Sequence, residues 1–310
     1  MEDILLYFGI FILALGLLLK GSDWFVDAAE EVGLSWGISP FIIGVTIVAF
    51  GTSLPELAAS IVAVLEGDEG IVVGGAVGSN ITNICLVLAV VAIYAKELKI
   101  DHSIMNIDMP YLIGSSFILY FILRDLVISI PEALFLFGGI VTFLVYSFKV
   151  DEDDLELKKT KTSIKSYLMI LVGGISVYFG ADYTVFSIAE LSKIAGIDQE
   201  IIALTLVAFG TSLPELMVSI SAARRGKTEL AVGNVLGSNI FNTYVVLSIP
   251  NFFGTVAVGQ SFVSFSVPFM VAITVLFYVM CHSGKISRWE GLTLLAFYGF
   301  FILELSKGYL

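Results

Sequence analysis

Residues Val48–Leu57 read VAFGTSLPEL, and residues Val207–Leu216 read VAFGTSLPEL again. Ten identical residues in a row do not arise from shared hydrophobicity, so the chain is an internal duplication. The offset of 159 residues also carries Gly21-Ser22-Asp23-Trp24 onto Gly180-Ala181-Asp182-Tyr183, and Gly67 onto Gly226. It carries Gly78-Ser79-Asn80-Ile81-Thr82-Asn83 onto Gly237-Ser238-Asn239-Ile240-Phe241-Asn242 without a gap.

The material around these motifs is membrane material. Hydrophobic residues make up 57% of the 310, and charged residues only 14%. A soluble domain is nearer 45–50% apolar and about 25% charged. Apolar runs fall at roughly 4–33, 38–65, 71–95, 108–123, 126–148, 166–191, 197–223, 229–250, 262–281 and 289–306. Runs of this length predict membrane-spanning helices and exclude a β-barrel, whose strands alternate over ~10 residues. A net charge of −12 excludes nucleic acid as a partner. Cys85 and Cys281 form no metal-spaced pair and no disulfide framework. The acidic start Met1-Glu2-Asp3 does not read as a secretory signal, so the first run is expected to be a retained span.

The hydrophilic stretch 149–165 divides the chain into a repeat at 1–148 and a repeat at 166–310, which together would form one transport domain. Each half holds five runs. An odd number forces the two copies to enter the membrane from opposite sides, giving an inverted five-plus-five arrangement. With both termini outside, twelve of the sixteen basic residues fall in inside loops. The positive-inside bias therefore predicts a multi-pass protein of the cell membrane with the central loop in the cytoplasm.

Two features of the repeats carry chemistry. In GTSLPE, Pro55 and Pro214 cannot donate a backbone bond, which predicts helix breaks near Gly51 and Gly210. Such breaks are tolerated only against protein or a watery cavity. Glu56 and Glu215 follow the prolines, and an intramembrane carboxylate is functional by default. Thr52 and Glu56 share a helical face at i, i+4, as do Thr211 and Glu215. In GSNI-x-N, Ser79 and Asn83 share a face, and Ser238 and Asn242 match them. Glycines at 74, 78, 233 and 237 let the helices approach closely. If the four motif helices meet, every donor is an oxygen. That suits Ca²⁺, Na⁺ or Mg²⁺ rather than zinc or copper. Two carboxylates balance one Ca²⁺ or two Na⁺.

The paired GTSLPE and GSN-I-x-N motifs resemble the two α-repeats of the Ca²⁺/cation antiporter superfamily, and the sodium/calcium exchangers of prokaryotes and archaea in particular. The resemblance spans nearly the whole chain. It implies an all-α fold of ten transmembrane helices in two inverted five-helix repeats, with long first and sixth helices that slide past a central core. It implies that Glu56 and Glu215 bind Ca²⁺ and Na⁺ directly, and that Thr52, Ser53, Thr211, Ser212, Ser79 and Ser238 add oxygens. The carbonyls of Ala49 and Ala208 would help to form flanking sodium sites, with Asn83 and Asn242 lining the centre. Potassium-dependent relatives carry Asp where this chain has Asn242, which argues against an obligatory K⁺ site. Ca²⁺ and Na⁺ are then transported substrates, with no cofactor and no obligatory protein partner expected.

Simpler readings stand beside these. Asn83 and Asn242 could be interhelical glue. Asp23 and Asp182 read best as interfacial carboxylates that bind backbone or lipid headgroups, and Glu66 as part of a solvated loop. H⁺/Ca²⁺ exchange at the same site is the nearest competitor, because a carboxylate without a partner could take a proton instead. A passive channel and a non-transporting cation binder are further from the pattern. An enzyme is not expected, since no nucleophile–base pair, zinc motif or phosphate loop is present.

Overall fold

The computed structural model describes residues 2–67, 69–100, 104–105, 108–154, 162–195 and 210–307. Ten principal helices follow one another among them. They are α1 (Glu2–Trp36), α2 (Pro40–Glu66), α3 (Gly70–Ala95), α4 (Asp108–Ile122) and α5 (Ile130–Asp154) in the first half. In the second half they are α6 (Ile164–Ile194), α7 (Leu213–Arg224), α8 (Thr228–Phe252), α9 (Gln260–Cys281) and α10 (Arg288–Lys307). Eight of the ten are long and apolar enough to cross a membrane. The described parts of α4 and α7 are shorter, at 15 and 12 residues.

Four short strands report the symmetry. β1 (Glu97–Lys99) pairs antiparallel with β4 (Lys285–Ser287), and β2 (Val127–Ile128) with β3 (Val256–Ala257). The 159-residue offset turns β1 into β3 and β2 into β4, so each ribbon is the repeat image of the other. The β1–β4 ribbon joins the end of α3 to the start of α10, and the β2–β3 ribbon joins the start of α5 to the end of α8. With helices crossing alternately, one ribbon lies on the face where α1 ends and its image on the face where α1 begins. The protein is thus an all-α membrane protein of two inverted five-helix repeats.

Burial follows membrane logic. The polar-rich α8 is enclosed over its central 18 residues, whereas the apolar α1 exposes most of its surface. Leu5, Leu13, Phe135, Leu168, Leu171 and Leu303 point outward, where lipid rather than water is the solvent. α1 and α6 cross antiparallel. Their register runs from the Tyr7–Phe186 ring contact, through Gly21 beside Ser176, to Trp36 Nε1 donating to Tyr167 Oη at 3.0 Å. A Cβ on Gly173 would lie 2.7 Å from the backbone nitrogen of Phe25, and one on Gly180 would lie 2.6 Å from that of Leu18. Only glycine permits this approach.

Two helix boundaries differ from the sequence reading. α5 continues to Asp154, inside the hydrophilic stretch, because adding residues to a helix already nucleated costs far less than starting one. The run beginning near 126 becomes helical only at Ile130. A 3₁₀ turn at Leu123–Asp125 and strand β2 come first, and Pro131 lies in the first turn of α5.

Candidate functional site

α2, α3, α7 and α8 bring the two motif sets together in the middle of the bundle. Ser53 on α2 donates to Glu215 Oε1 on α7 at 2.9 Å. Ser79 on α3 and Thr211, just ahead of α7, lie 3.1 Å apart through their hydroxyl oxygens. Asn83 Nδ2 on α3 donates to Asn239 Oδ1 on α8 at 3.2 Å. The partners in these pairs are 132 to 162 residues apart in the chain. Close backbone approach makes the contacts possible. A Cβ on Gly233 or Gly237 of α8 would collide with the backbone of Phe41 or Val45 on α2.

The two repeats differ at the predicted breaks. Pro55 sits inside a continuous helical stretch, Ala49–Glu66, so the expected opening at Gly51 does not occur there. The helix passes through with the loss of one backbone bond, and its irregularity lies upstream as a π turn at Gly44–Val48. In the second repeat, Gly210–Ser212 form a turn and α7 starts at Leu213 with Pro214 in its first turn. A proline costs little there, since first-turn N–H groups have no intrahelical partner. Two further π turns begin at Asn83 and at Asn242, 159 residues apart like the motifs themselves. They turn both asparagines at the same depth.

The site is buried and only half wired. Glu56 is 6% exposed and Glu215 is fully enclosed. Glu215 lies in the first turn of α7, where the helix dipole favours a carboxylate, and it accepts from Ser53. Glu56 lies mid-helix, and neither of its oxygens finds a hydrogen-bond partner among the described residues. Glu215 Oε2, Ser212 Oγ, Ser238 Oγ, Asn83 Oδ1 and both polar atoms of Asn242 are likewise buried without one. Buried polar groups are almost always satisfied, so such a cluster calls for a ligand. Seven of these eight atoms are oxygens, three of them from the two carboxylates, and the eighth is an amide nitrogen. The chemistry that fits them is a small hard cation.

Of the predicted ligands, Ser53 and Ser79 of the first repeat meet Glu215 and Thr211 of the second directly, and Asn83 and Thr52 meet α8 through Asn239 and Asn234. Ala49 packs against Gly237, Glu56 shares a cavity wall with Thr211, and Ser212, Ser238 and Asn242 are buried. Ala208 lies outside the described residues. A cavity of about 540 Å³ leads away from the site, lined by Glu56, Val62, Glu66, Asp182, Thr211 and Pro214. Glu66, expected in a solvated loop, and Asp182, expected at the interface, both line this cavity. Asp23, the repeat image of Asp182, is held by side chains. It accepts from Ser221 Oγ at 2.6 Å and pairs with Arg225 at 3.3 Å. Arg225 also pairs with Asp27, and Lys227 with Asp27 and Glu30. These ion pairs pin α1 to the end of α7 on the face opposite the cavity.

Residues missed by the motif reading are Asn80, Asn239, Thr243 and Asn234. Asn80 and Asn239 repeat at the same offset, which was a usable signal. Thr243 stands where the first repeat has Ile84, and it draws Asn80 Nδ2 to its hydroxyl at 3.0 Å. The symmetric bond to Asn242 is then not formed.

Comparison with known proteins agrees with this geometry. The family profile described as sodium/calcium exchanger protein matches residues 6–150 and 165–306. The chain is 33% identical over 344 residues to the sodium/calcium exchanger MaX1 of Methanosarcina acetivorans, covering 96% of this chain and 98% of that protein. It is 34% identical over 313 residues to the uncharacterized membrane protein MJ0091 of Methanocaldococcus jannaschii, covering 97% and 98%. Among solved structures, the sodium-calcium exchanger NCX_Mj soaked with 2.5 mM Na⁺ and 10 mM Sr²⁺ superimposes with a TM-score of 0.86. Its identity is 33%, with 97% of this chain and 99% of that chain covered.

Proposed function

Because this chain belongs to the sodium/calcium exchanger family, we propose that it is a secondary-active antiporter that moves Ca²⁺ against Na⁺ across the cell membrane by alternating access. It is a transporter of this class and not an enzyme. The observation that carries the proposal is the set of buried, unsatisfied oxygens around Glu56 and Glu215, drawn from both repeats. Burying a lone carboxylate at this depth costs roughly 3 kcal/mol. The empty site is therefore strained, and either one Ca²⁺ or a set of Na⁺ relieves it. A ligand drives the switch only through differential affinity for the two facing states. A compensated site crosses and an uncompensated one stalls, which couples the two ions.

Glu56, Glu215, the four Thr and Ser residues of the GTSLPE motifs, Ser79 and Ser238 are the proposed ligands. Asn83 and Asn242 line the centre, and the carbonyls of Ala49 and Ala208 flank it. The positive-inside bias supports termini outside and the central loop in the cytoplasm. In that orientation the cavity beside Glu66 and Asp182 faces outward, and the Asp23–Arg225 cluster closes the inner side. Three Na⁺ against two carboxylates leave one net charge, which makes the exchange electrogenic. The asparagine at 242 supports independence from K⁺.

The test is ⁴⁵Ca²⁺ uptake into proteoliposomes loaded with Na⁺, K⁺ or choline, with and without a pH gradient and a clamped membrane potential. Uptake is expected only with internal Na⁺, independent of K⁺, accelerated by a potential that removes the surplus charge, and absent in Glu56→Gln. Uptake that follows the pH gradient and ignores Na⁺ would replace Na⁺ by H⁺ as the counter-ion.

A further inference from the structure

The two repeats disagree at a second position beside the site. Where the first carries Gly75, the second carries Asn234. Asn234 is fully enclosed. Its Nδ2 donates to Ser219 Oγ at 2.9 Å and to the Glu215 carbonyl oxygen at 3.4 Å. Its Oδ1 accepts from Thr52 Oγ1 at 3.3 Å, across 182 residues of chain. The Glu215 carbonyl can only accept, so the amide cannot be turned over without losing that contact. Its donor end is spent on α7, and its acceptor end is held against a hydroxyl of α2.

A hydroxyl ligates a cation through an oxygen lone pair, so its single proton has to go elsewhere. Thr52 has two acceptors at 3.3 Å, Asn234 Oδ1 and the Ala49 carbonyl. Giving the proton to Ala49 would occupy an oxygen that is itself a proposed ligand. Giving it to Asn234 leaves both Thr52 Oγ1 and the Ala49 carbonyl for the ion. Among the described residues the other flank shows no such device. Thr211 and Ser79, both proposed ligands, share one hydrogen bond at 3.1 Å, so one of them spends an acceptor site on the other. Gly75 has no side chain with which to take the proton.

We propose that Asn234 is a positioning residue that takes the Thr52 proton and so preorganises the flank built on Thr52 and Ala49 as the better sodium position of the pair. The proposal rests on the exchanger reading of the site and deepens it. It makes the two sodium flanks unequal, although the motifs that build them are identical.

The test separates sodium from calcium. Ca²⁺/Ca²⁺ self-exchange of ⁴⁵Ca²⁺ in proteoliposomes needs no Na⁺. In Asn234→Leu, the Na⁺ concentration that half-saturates Ca²⁺ uptake should rise about tenfold, the effect of one buried hydrogen bond. Self-exchange should stay within about twofold of wild type, because a proton acceptor for one sodium ligand leaves the carboxylates in place. In a Thr52→Val background, where there is no proton to take, Asn234→Leu should add less than about twofold. Asn234→Ala is the second variant if leucine prevents folding. Equal loss of Na⁺ dependence and self-exchange in both variants would overturn the proposal, as a general packing role predicts that pattern. An unchanged Na⁺ requirement, or effects that multiply with Thr52→Val, would overturn it too. A wild type that performs no self-exchange would instead overturn the exchanger reading.

Discussion

The crossing of α1 and α6 yields a sharp prediction from three glycines on one helix. A Cβ added at Gly180 would lie 2.6, 2.7 and 2.8 Å from the N, Cα and Cβ atoms of Leu18, and one at Gly173 would lie 2.7, 2.8 and 2.9 Å from those of Phe25. At Gly174, one residue away, the nearest atom is 3.8 Å off, on the ring of Phe25. Carbon contacts settle near 3.5–4.0 Å, so alanine at 173 or 180 must push the helices apart by about 1 Å. The clash involves backbone that cannot rotate away, and overpacking of this kind costs about 1–3 kcal/mol. Alanine returns about 1 kcal/mol of helix propensity at any of the three positions. The balance is a loss of up to roughly 2 kcal/mol for Gly173→Ala and Gly180→Ala, and a gain of up to about 1 kcal/mol for Gly174→Ala. Thermal unfolding of the purified protein should show Tm lower in the first two, by up to about 6 °C, than in the third, where it is unchanged or raised. If α1 and α6 slide as a pair during transport, the same two variants lose turnover at least in proportion while Gly174→Ala keeps it. Equal Tm and equal exchange across all three variants would refute both the close crossing and its role.

Three other outcomes are expected. Glu56→Gln removes the carboxylate without a partner, so the empty protein becomes more heat-stable while losing its response to Ca²⁺; the wild type gains about 2.7 kcal/mol at a hundred times Kd, read as a Tm shift. Arg225→Gln breaks the pairs with Asp23 and Asp27, whose side chains are 21% and 49% exposed, so the loss is modest, about 1 kcal/mol. Thiol labelling of an Ala223→Cys reporter on that closed face should then rise about fivefold, and an unchanged rate would show that the ion pairs do not hold the face shut. Asn242→Asp adds a third buried carboxylate with no partner and should make Ca²⁺ uptake depend on an additional monovalent cation; uptake identical in K⁺ and choline media would count against Asn242 lining the site.

The sequence by itself determined the duplication, the spans, the inversion and the identity of the motif residues. Each of these is written in local spacing: VAFGTSLPEL twice, five apolar runs per half, and hydroxyls, amides and carboxylates at helical intervals. Local spacing is also why Glu56 and Glu215 were legible as a pair. What differs between the two members of that pair was decided by tertiary structure. Identical decapeptides lead to a helix that runs through Pro55 and to a turn that ends before Pro214. Ser53 reaches Glu215, whereas Ser212 finds no partner among the described residues. Asn234 takes up Thr52, and Gly75 can take up nothing. The π turns at Asn83 and Asn242 and the ion pairs that bind Asp23 but not Asp182 belong to the same class of fact. Each depends on how two inverted copies dock, through contacts between groups more than a hundred residues apart, and no local pattern encodes that docking.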